Sequence, residues 1–299
     1  HRDLHSFPTR RSSDLLQLVY INSTANGIDL ANPNDSHSKK GTQELEEILI
    51  DIGNIVSGIY VTLPPENVLV SQIPGKDGLS KDDVGKLINI EVKQAYPQYT
   101  NEDYTFNVVP LAPRINGSKM LMAVIIPNII YSNAKKLLGA IKAPVIRMEI
   151  SQLNAHSAFL YNYPEEKEST VAFFCVQDKF VDVSVIQNTK PAYYNLQKYN
   201  DEFDIAGICE KEFDILMTDY VENIDSAYLF GPGLTKSMFE RADGMLSIMV
   251  SKTGRLNAFR MFGTMLDDRE QEYCRKTYHI YPSCIGGVLP PWHERLKFY

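Results

Sequence analysis

Few side chains in this sequence have the types and spacing that a catalytic or binding site requires. The most informative position is the polar turn Gln177-Asp178-Lys179, which interrupts the largely apolar residues 171–195. A lysine in such a turn could contact a phosphate, but a solvated turn lysine is the simpler interpretation. The elements around the turn decide whether it can bind anything.

Three other sequence patterns resemble catalytic or metal sites, but each lacks residues that such a site requires. His156 is predicted to lie on a helix, and no Ser, Cys or carboxylate is spaced to act with it. His279 and Cys284 lack the two further ligands that a zinc site needs. HRDL at residues 1–4 matches part of a kinase catalytic loop, but the glycine-rich loop, the DFG motif and the following Asn are absent. We therefore predict no catalytic residue and no metal site.

Acidic residues cluster where ordinary structure explains them. Glu210, Glu212 and Asp214 fall on a predicted amphipathic helix and are expected to form its solvated face. The pairs Glu165-Glu166 and Asp267-Asp268 are expected to be solvated charges in a loop and at a helix start.

The polar turn belongs to a predicted series of three strands. Residues 171–176 are continuously apolar, which is typical of a strand buried on both faces. Residues 180–186 alternate apolar and polar side chains, which predicts a returning strand with one wetter face. A second turn at 188–191 leads to a short strand at 192–195. The sequence thus predicts two successive hairpins at the centre of the chain.

Composition excludes several classes of function. The first 15 of the 299 residues resemble a translated sequencing adapter, so we expect them to lie outside the fold and the natural N-terminus to be missing. Without their three Arg and two Asp, the formal charge changes from −7 to −8. This acidic balance argues against nonspecific nucleic-acid binding.

The cysteines and the apolar runs indicate the cellular setting. The four cysteines form no CxxC pair, which argues against a disulfide scaffold and a zinc ribbon. No apolar run is long enough to span a bilayer. The sequence predicts a soluble, intracellular protein of two modest domains.

Helical and strand patterns alternate along the rest of the chain. Strands are predicted at 58–63, 68–73, 104–110, 119–126, 145–150, 227–230 and 246–250. Helices are predicted at 42–56, 80–95, 128–141, 152–160, 203–223, 235–242 and 267–276, with a loop at 32–41. Thr42, Ser80 and Asn128 are the expected N-caps of the first three helices.

This order of elements resembles the actin-like superfamily and, within it, the PilM family of type IV pilus assembly proteins. The stretches that fit the family in order are IYVTLPPENVLVSQIPG, INIEVKQAYPQYTNEDYTFNVVPL, AVIIPNIIYSNAKKLLGAIKAPVIRMEISQLNAH, the central hairpins, SAYLFGPGLTKSMFERA and YPSCIGGVLP. The match extends from about Leu16 to about Pro290. FtsA shares this architecture, and so does the cytosolic domain of the type II secretion protein GspL, which is a near competitor.

The resemblance implies an α/β protein with the actin-like (ribonuclease H-like) two-lobe fold and a small inserted α/β subdomain. Residues 16–66 and 123–165 would form the first lobe, truncated at its N-terminus. Residues 67–122 would form the inserted subdomain, and residues 166–299 the second lobe.

The family's phosphate-binding chemistry is degenerate here. The family carries Asp-x-Gly followed by Ser or Thr at the first central hairpin, and Cys175, Gln177 and Lys179 stand at the Asp, Gly and hydroxyl positions. A carboxylate is needed to hold water or Mg²⁺, and a glycine lets backbone N–H groups approach phosphate. The family's adenosine turn corresponds to Gly231 and Gly233, and the proline between them removes an N–H donor.

The resemblance therefore implies a non-catalytic or weakly nucleotide-binding scaffold of type IV pilus or secretion machinery. Its partners would be the cytosolic tail of a PilN-like inner-membrane protein and the pilus assembly ATPases. It would be cytoplasmic and peripheral to the inner membrane. No cofactor is expected, unless an intact phosphate loop before Leu16 allows ATP and Mg²⁺ to bind. The alternatives are an active actin-like or sugar-kinase-type ATPase and a GspL-like secretion protein.

By the same resemblance, the partner's tail would lie against the inserted subdomain. Strand alternation places Tyr104 and Phe106 on one face, where they are expected to point inward. This leaves Tyr96 and Tyr99 as the candidate partner-binding residues, because rigid rings bury much area at little entropic cost. Trp292 could dock on the first lobe or on a partner.

Overall fold

The computed structural model describes residues 16–52, 56–76, 78–140 and 143–292 of the chain. The adapter-like residues 1–15 and the predicted helix residues 53–55 and 141 lie outside this description. The strands are β1 (Gln17–Leu18), β2 (Ile59–Leu63), β3 (Leu69–Pro74), β4 (Tyr104–Pro110), β5 (Met120–Pro127), β6 (Val145–Ile150), β7 (Thr170–Val176), β8 (Phe180–Gln187), β9 (Lys190–Lys198), β10 (Ser226–Phe230), β11 (Lys252–Arg255) and β12 (Gly263–Thr264). The helices are α1 (Ser36–Ile52), α2 (Lys81–Ala95), α3 (Asn128–Leu137), α4 (Ser151–Asn162), α5 (Asp204–Ile215), α6 (Lys236–Met249), α7 (Asp268–Thr277) and α8 (Pro282–Val288).

The largest sheet has the strand order β11-β10-β7-β8-β9. Strands β7, β8 and β9 are antiparallel neighbours, whereas β10 pairs in parallel with both β7 and β11. The turn between β8 and β9 places Asn188 and Thr189 at φ of 49° and 69°. Two successive residues of positive φ form the primed turn that suits a tight hairpin. The two central hairpins are confirmed.

The antiparallel sheet β3-β5-β4, with helix α2 packed on it, forms the region predicted as the inserted subdomain, and β5 continues beyond the predicted end of that region at residue 122. Val84, Ile88 and Val92 of α2 recur at helical spacing and are fully buried. Tyr104 is buried in the same core and Phe106 packs against it, as strand alternation predicted.

A second small sheet pairs β2 with β6 in parallel, and helices α4 and α8 pack beside it. Helix α4 is almost entirely buried, because its other side packs Ala155, Phe159 and Leu160 into the aromatic core below β7 and β10. Arg147 of β6 donates to the carbonyls of Gly286 and Leu289 at 3.0 and 2.8 Å, which fastens the end of α8 to β6. The assignment of residue ranges to lobes stays a prediction.

Helix α1 begins earlier than predicted. Residues 36–41 are helical rather than a loop, and Thr42 is not the N-cap. The carboxylate of Asp35 instead accepts the N–H groups of His37 and Ser38 at 2.7 and 3.1 Å, which is the usual role of an N-cap acid. Thr42 donates its hydroxyl to the carbonyl of Ser38, one turn back along the helix.

The other two predicted caps differ in outcome. Ser80 forms the expected capping box, in which Asp83 is the reciprocal partner. Asn128 does not cap α3, because Pro127 takes the N-cap position and the Asn128 amide donates to the carbonyl of Glu102 at 2.6 Å.

Two predictions in the C-terminal half are wrong in type or length. Residues 246–249 belong to α6 rather than to a strand, since Met238, Ala242 and Leu246 recur every four residues on its buried face. The strand that follows is β11. The predicted helix at 203–223 ends as α5 and continues only as the π-helical turn Leu216–Tyr220.

The prediction that the acidic residues are solvated is wrong for Glu212 and Glu166. Glu212 is 0% exposed and accepts hydrogen bonds from Tyr193, Asn195 and Gln197 of β9 at 2.6, 2.8 and 2.7 Å. Glu166 is buried against Ser226, Tyr228 and Lys252. Both carboxylates have the donors that burial requires.

Candidate functional site

The polar turn between β7 and β8 is held rigidly. The N–H of Gln177 donates to the carbonyl of Phe180 at 2.8 Å and closes the hairpin. From the far end of β9, Tyr199 donates its hydroxyl to the carbonyl of Gln177 at 2.7 Å and its N–H to the carbonyl of Lys179 at 3.1 Å. The side chain of Lys179 remains exposed at the tip of the turn.

The glycine turn after β10 packs directly against this hairpin. Gly231 has a φ of 112° and donates its N–H to the carbonyl of His279 at 2.8 Å. Gly233 donates its N–H to the carbonyl of Val176 at 2.9 Å, and Leu234 donates back to Gly231 at 3.2 Å. Pro232 has no N–H. The N–H groups of this turn are therefore all used within the protein.

The two glycines are needed for this contact. A Cβ atom on Gly231 would lie 2.3 Å from the carbonyl oxygen of Val176, and one on Gly233 would lie 2.2 Å from that of Gln177. Close approach between two segments of backbone explains both glycines without a ligand. The structure thus brings Gly231 and Gly233 against Val176 and Gln177 of the β7–β8 hairpin. The assignment of Cys175, Gln177, Lys179, Gly231 and Gly233 to a degenerate nucleotide site stays a prediction.

Cys175 faces the interior. It is buried, and burial raises the pKa of its thiol well above the ordinary value, with a further rise from the nearby Asp182. The side-chain amide of Gln177 donates to its sulfur at 3.2 Å. A neutral, enclosed thiol cannot replace the carboxylate that orders a water or Mg²⁺ ion.

Asp182 is a buried residue of this region that the sequence did not reveal. It pairs with Cys175 across the β7–β8 ladder, is 0% exposed and accepts a hydrogen bond from the hydroxyl of Tyr194 at 2.6 Å. Burial raises the pKa of its carboxyl to about 7, although hydrogen bonds from Tyr194 and Gln177 oppose the rise.

The wetter face predicted for β8 is in fact buried. Ser184 is buried like Asp182, and its hydroxyl lies 2.7 Å from Nε2 of His156 on helix α4. The burial of this face follows from the position of β8, which lies between two other strands of the sheet and is covered by α4 on the side of Ser184.

An open cavity of about 590 Å³ lies in front of the hairpin. Residues of the 27–38 segment line one side, residues of the 64–67 turn line another, and residues 177–180 complete it. Its acidic groups are Asp29, Asp35, Glu66 and Asp178, and Lys179 is its lysine.

These residues do not fit the phosphates of a nucleotide. The carboxylates outnumber the cation, which disfavours a polyanion. The backbone donors of the glycine turn are already paired, and no Asp-x-Gly motif is present in the β7–β8 turn. No grouping of His, Cys, Asp and Glu suited to a metal ion occurs among the described residues.

The second predicted site lies at the end of α2. The rings of Tyr96 and Tyr99 stack with centroids 4.9 Å apart and planes inclined by 17°. Both side chains are half-buried, and Tyr99 also packs against the core of the inserted subdomain. The stacked rings cover each other's inner faces and remain partly exposed at the surface.

The sheet order and the inserted subdomain define the class of protein: the chain has the α/β actin-like fold. In that fold it is similar to a solved PilM–PilN type IV pilus biogenesis complex, with a TM-score of 0.61 and 12% identity over 83% of this chain and 85% of that chain. No family model and no curated protein matches the sequence.

Two further solved structures are more distant. One is a Bacteroides thetaiotaomicron protein of unknown function with an actin-like ATPase fold, at a TM-score of 0.45 and 12% identity over 78% of this chain and 80% of that chain. The other is the cytoplasmic domain of EpsL, an inner-membrane component of the Vibrio cholerae type II secretion system, at 0.42 and 10% over 79% of each chain. Among the described residues, no helix is long and apolar enough to cross a membrane.

Proposed function

We propose that this chain is a non-catalytic actin-like scaffold of type IV pilus or related secretion machinery. The observation that carries the proposal is the closed glycine turn, in which the N–H groups of Gly231 and Gly233 are paired with protein carbonyls. Backbone N–H groups that are already paired within the protein are not available to form an anion-binding nest. The buried thiol of Cys175 and the acidic cavity support the same reading.

The proposed role is to bind an extended cytosolic tail of a PilN-like inner-membrane protein and to contact the assembly ATPases. The similar solved structure is a PilM–PilN complex, which supports a partner of this kind. The stacked Tyr96 and Tyr99 offer the rigid aromatic surface that peptide binding favours. The scaffold would act in the cytoplasm, at the inner membrane through its partner.

The nucleotide half of the proposal is tested by calorimetric titration with Mg-ATP. We expect no hydrolysis and no measurable heat of binding at micromolar concentrations, because the N–H groups of the glycine turn are paired and the carboxylates of the cavity outnumber its lysine. A dissociation constant in the micromolar range would contradict this expectation.

The partner half is tested with the Tyr96→Ala, Tyr99→Ala double variant and a peptide from the membrane partner's cytosolic tail. Loss of the stacked pair should lower peptide affinity by roughly 2 kcal/mol or more, the scale of an interface hot spot. The measurement is a titration followed by fluorescence anisotropy.

Tyr273→Ala is the matched control, because Tyr273 on α7 is 39% exposed and lies outside the inserted subdomain. It should leave peptide affinity unchanged. Unchanged affinity in a folded double variant would instead mean that the peptide binds elsewhere, for example at the 360 Å³ hollow beside Leu79 and Leu87.

A further inference from the structure

Helix α4 meets strand β8 through polar side chains, although both elements are almost entirely buried. Gln152 donates its side-chain amide to the main-chain carbonyl of Asp182 at 3.2 Å, and Nε2 of His156 lies 2.7 Å from the hydroxyl of Ser184. Residues four apart on a helix or two apart on a strand share a face, so each pair lies on one side of its element. We call Gln152, His156, Asp182 and Ser184 the α4–β8 seam.

Two oxygen atoms of the seam have no hydrogen-bond donor. Within the described part of the chain, Oε1 of Gln152 and Oδ2 of Asp182 are buried and accept no hydrogen bond. The two side chains are 1% and 0% exposed. The bond from Nε2 to the carbonyl of residue 182 fixes the orientation of the Gln152 amide, so Oε1 remains an acceptor. Because buried polar atoms are nearly always paired, two unpaired acceptors indicate that a donor hydrogen belongs in the seam.

The surroundings of Asp182 favour a proton on its own carboxyl as that donor. Its Oδ1 accepts the hydroxyl of Tyr194 at 2.6 Å. Gln177 lowers the pKa of the carboxyl, but at hydrogen-bond distance its amide donates to the sulfur of Cys175. Glu66 adds a like charge, and none of the described groups that shift the pKa of Asp182 is a cation. Burial is the largest influence and raises this pKa to about 7. A neutral carboxylic acid has an O–H donor and avoids the cost of a buried, unpaired charge.

Helix α4 also connects the two parallel-stranded parts of the fold. It follows β6 directly, and the amide of Asn154 donates to the hydroxyl of Thr62 in β2 at 2.8 Å. Gly286 of α8 packs so closely on α4 that a Cβ atom there would lie 1.6 Å from the carbonyl oxygen of Asn154. A shift of α4 on β8 would therefore move β2, β6 and α8 as well. The cavity between the 64–67 turn, which follows β2, and residues 177–180 would change its width.

We propose that the Asp182 carboxyl is a proton-binding site that acts as a pH-dependent latch between α4 and the large sheet. With the proton bound, the acid supplies the donor of the seam, and α4 is held on β8. When the proton leaves to solvent water, a carboxylate and the Oε1 acceptor of Gln152 remain together without a donor or a cation, and the contact loosens. No other bond changes. The latch is independent of the proposed scaffold role.

The proton is detected by infrared spectroscopy of the full chain. An ordinary carboxyl has a pKa near 4 and is ionised at pH 6, so a protonated carboxyl band at pH 6 reports an exceptional group. We expect such a band in the wild type, lost with a midpoint near pH 7 and absent in Asp182→Asn. A wild type without the band at pH 6, or a band that persists in Asp182→Asn, would overturn the proposal.

Two further variants test the assignment of the band. Tyr194→Phe removes a donor to the charged form of Asp182 and should raise the midpoint by about one pH unit. Asp178→Asn removes an exposed carboxylate of the adjacent turn and should leave the band and its midpoint unchanged. Equal midpoints in Tyr194→Phe and the wild type would show that the band does not come from the carboxyl bound by Tyr194.

The latch itself is detected by hydrogen exchange at pH 6 and pH 8, after correction for the intrinsic exchange rate at each pH. A closed seam keeps its proton up to about pH 7, whereas an opened seam loses it near pH 4. Opening should therefore become about tenfold more frequent between pH 6 and pH 8. We expect the protection of α4 and β8 to fall by about this factor in the wild type and to stay constant in Asp182→Asn.

Strands β4 and β5 distinguish a latch from a charge that only destabilises the whole protein. They belong to the separate core that α2 covers, so their protection should not change with pH. An equal fall of protection in β4, β5, α4 and β8 would mean that Asp182 affects only global stability. Constant protection of α4 in the wild type would mean that the proton does not hold the helix. Either result overturns the latch, even where the infrared band is present.

Discussion

Asp182 lies in the middle of β8, where no water solvates a charged carboxylate. Its pKa of about 7 in the folded chain exceeds the unfolded value near 4, so the folded state retains the proton longer. The stabilisation from this group is full below pH 4 and is lost as the pH rises to 7.

We predict that Asp182→Asn removes this loss. The asparagine keeps an acceptor for Tyr194 and cannot ionise. The free energy of unfolding of the variant, relative to that of the wild type, should therefore be higher at pH 8 than at pH 5. The gain over this range is roughly 3 kcal/mol, since the stability loss of the wild type runs over about two pH units between pH 5 and the folded pKa of about 7, and each unit corresponds to about 1.4 kcal/mol. Urea unfolding of both proteins at the two pH values measures it.

Asp178→Asn is the matched control, an exposed carboxylate in the adjacent turn. Its free energy of unfolding should differ from wild type by less than about 0.5 kcal/mol at either pH. A difference between Asp182→Asn and wild type that is the same at pH 5 and pH 8 would show that Asp182 is already charged in the folded protein.

At the residue scale, the sequence identified backbone requirements better than buried polar groups. Gly231 and Gly233 stood out because they flank a proline at the turn that corresponds to the family's adenosine turn. Glu212 could not be recognised as buried, because its donors come from β9 and helical periodicity records only its own helix. Asn67 follows two prolines in a turn, and nothing local shows that a cavity wall encloses it.

At the scale of elements, the contact between the glycine turn and the β7–β8 hairpin joins two parts of the large sheet. We predict that Gly231→Ala destabilises the protein by at least about 3 kcal/mol. The new methyl group would overlap the carbonyl of Val176, and alanine is strained at a φ of 112°. Thermal or urea unfolding measures the loss.

Gly244→Ala provides the opposite control. Gly244 lies in the interior of α6 with nothing near its missing Cβ, so alanine should stabilise the helix by up to about 1 kcal/mol. A mild effect of Gly231→Ala would mean that the hairpin can move away from the turn. In that case the backbone donors could become free, and nucleotide binding would have to be reconsidered.

The helix starts at Ser80 and Asp267 were predicted correctly, whereas the caps at Thr42 and Asn128 and the state of residues 246–250 were not. The capping box at Ser80 is a short local pattern, and α2 begins where it indicates. The helix predicted from residue 267 also begins there, and the structure adds a capping box at Asp267. The run at 246–250 is apolar and short, so its sequence fits a strand or a helix equally well. Its helical state depends on packing of Leu246 into the core shared with α5.

At the scale of the molecule, the inserted subdomain is tied to the large sheet. Ala112 donates its N–H to the carbonyl of Pro191 at 2.7 Å. Arg114 bonds the side chain of Gln72 at 3.2 Å and the hydroxyl of Tyr220 at 2.9 Å, which links β3 to the π-helical turn. The order of elements predicted this fold through its resemblance to actin-like proteins. The links could not be predicted, since they join residues that lie far apart in the sequence, 42 positions for Arg114 and Gln72 and 106 for Arg114 and Tyr220.

Trp292 offers a test of how the end of the described chain packs. It is the single tryptophan, is 41% exposed and lies under the ammonium of Lys167, 4.5 Å from the ring centroid. Lys167 belongs to the charged segment between α4 and β7, so the contact holds residue 292 against the middle of the chain. A cation over an indole face is attracted by the ring's quadrupole.

We predict that the native emission of Trp292 lies to the blue of free tryptophan and shifts to the red on denaturation. Lys167→Ala should move the native emission toward the denatured value and leave the denatured spectrum unchanged. Lys198→Ala, which removes an exposed lysine at the end of β9, should have no effect on either spectrum. If the native emission already equals that of the denatured chain, the indole is fully solvated and the segment is free to contact a partner.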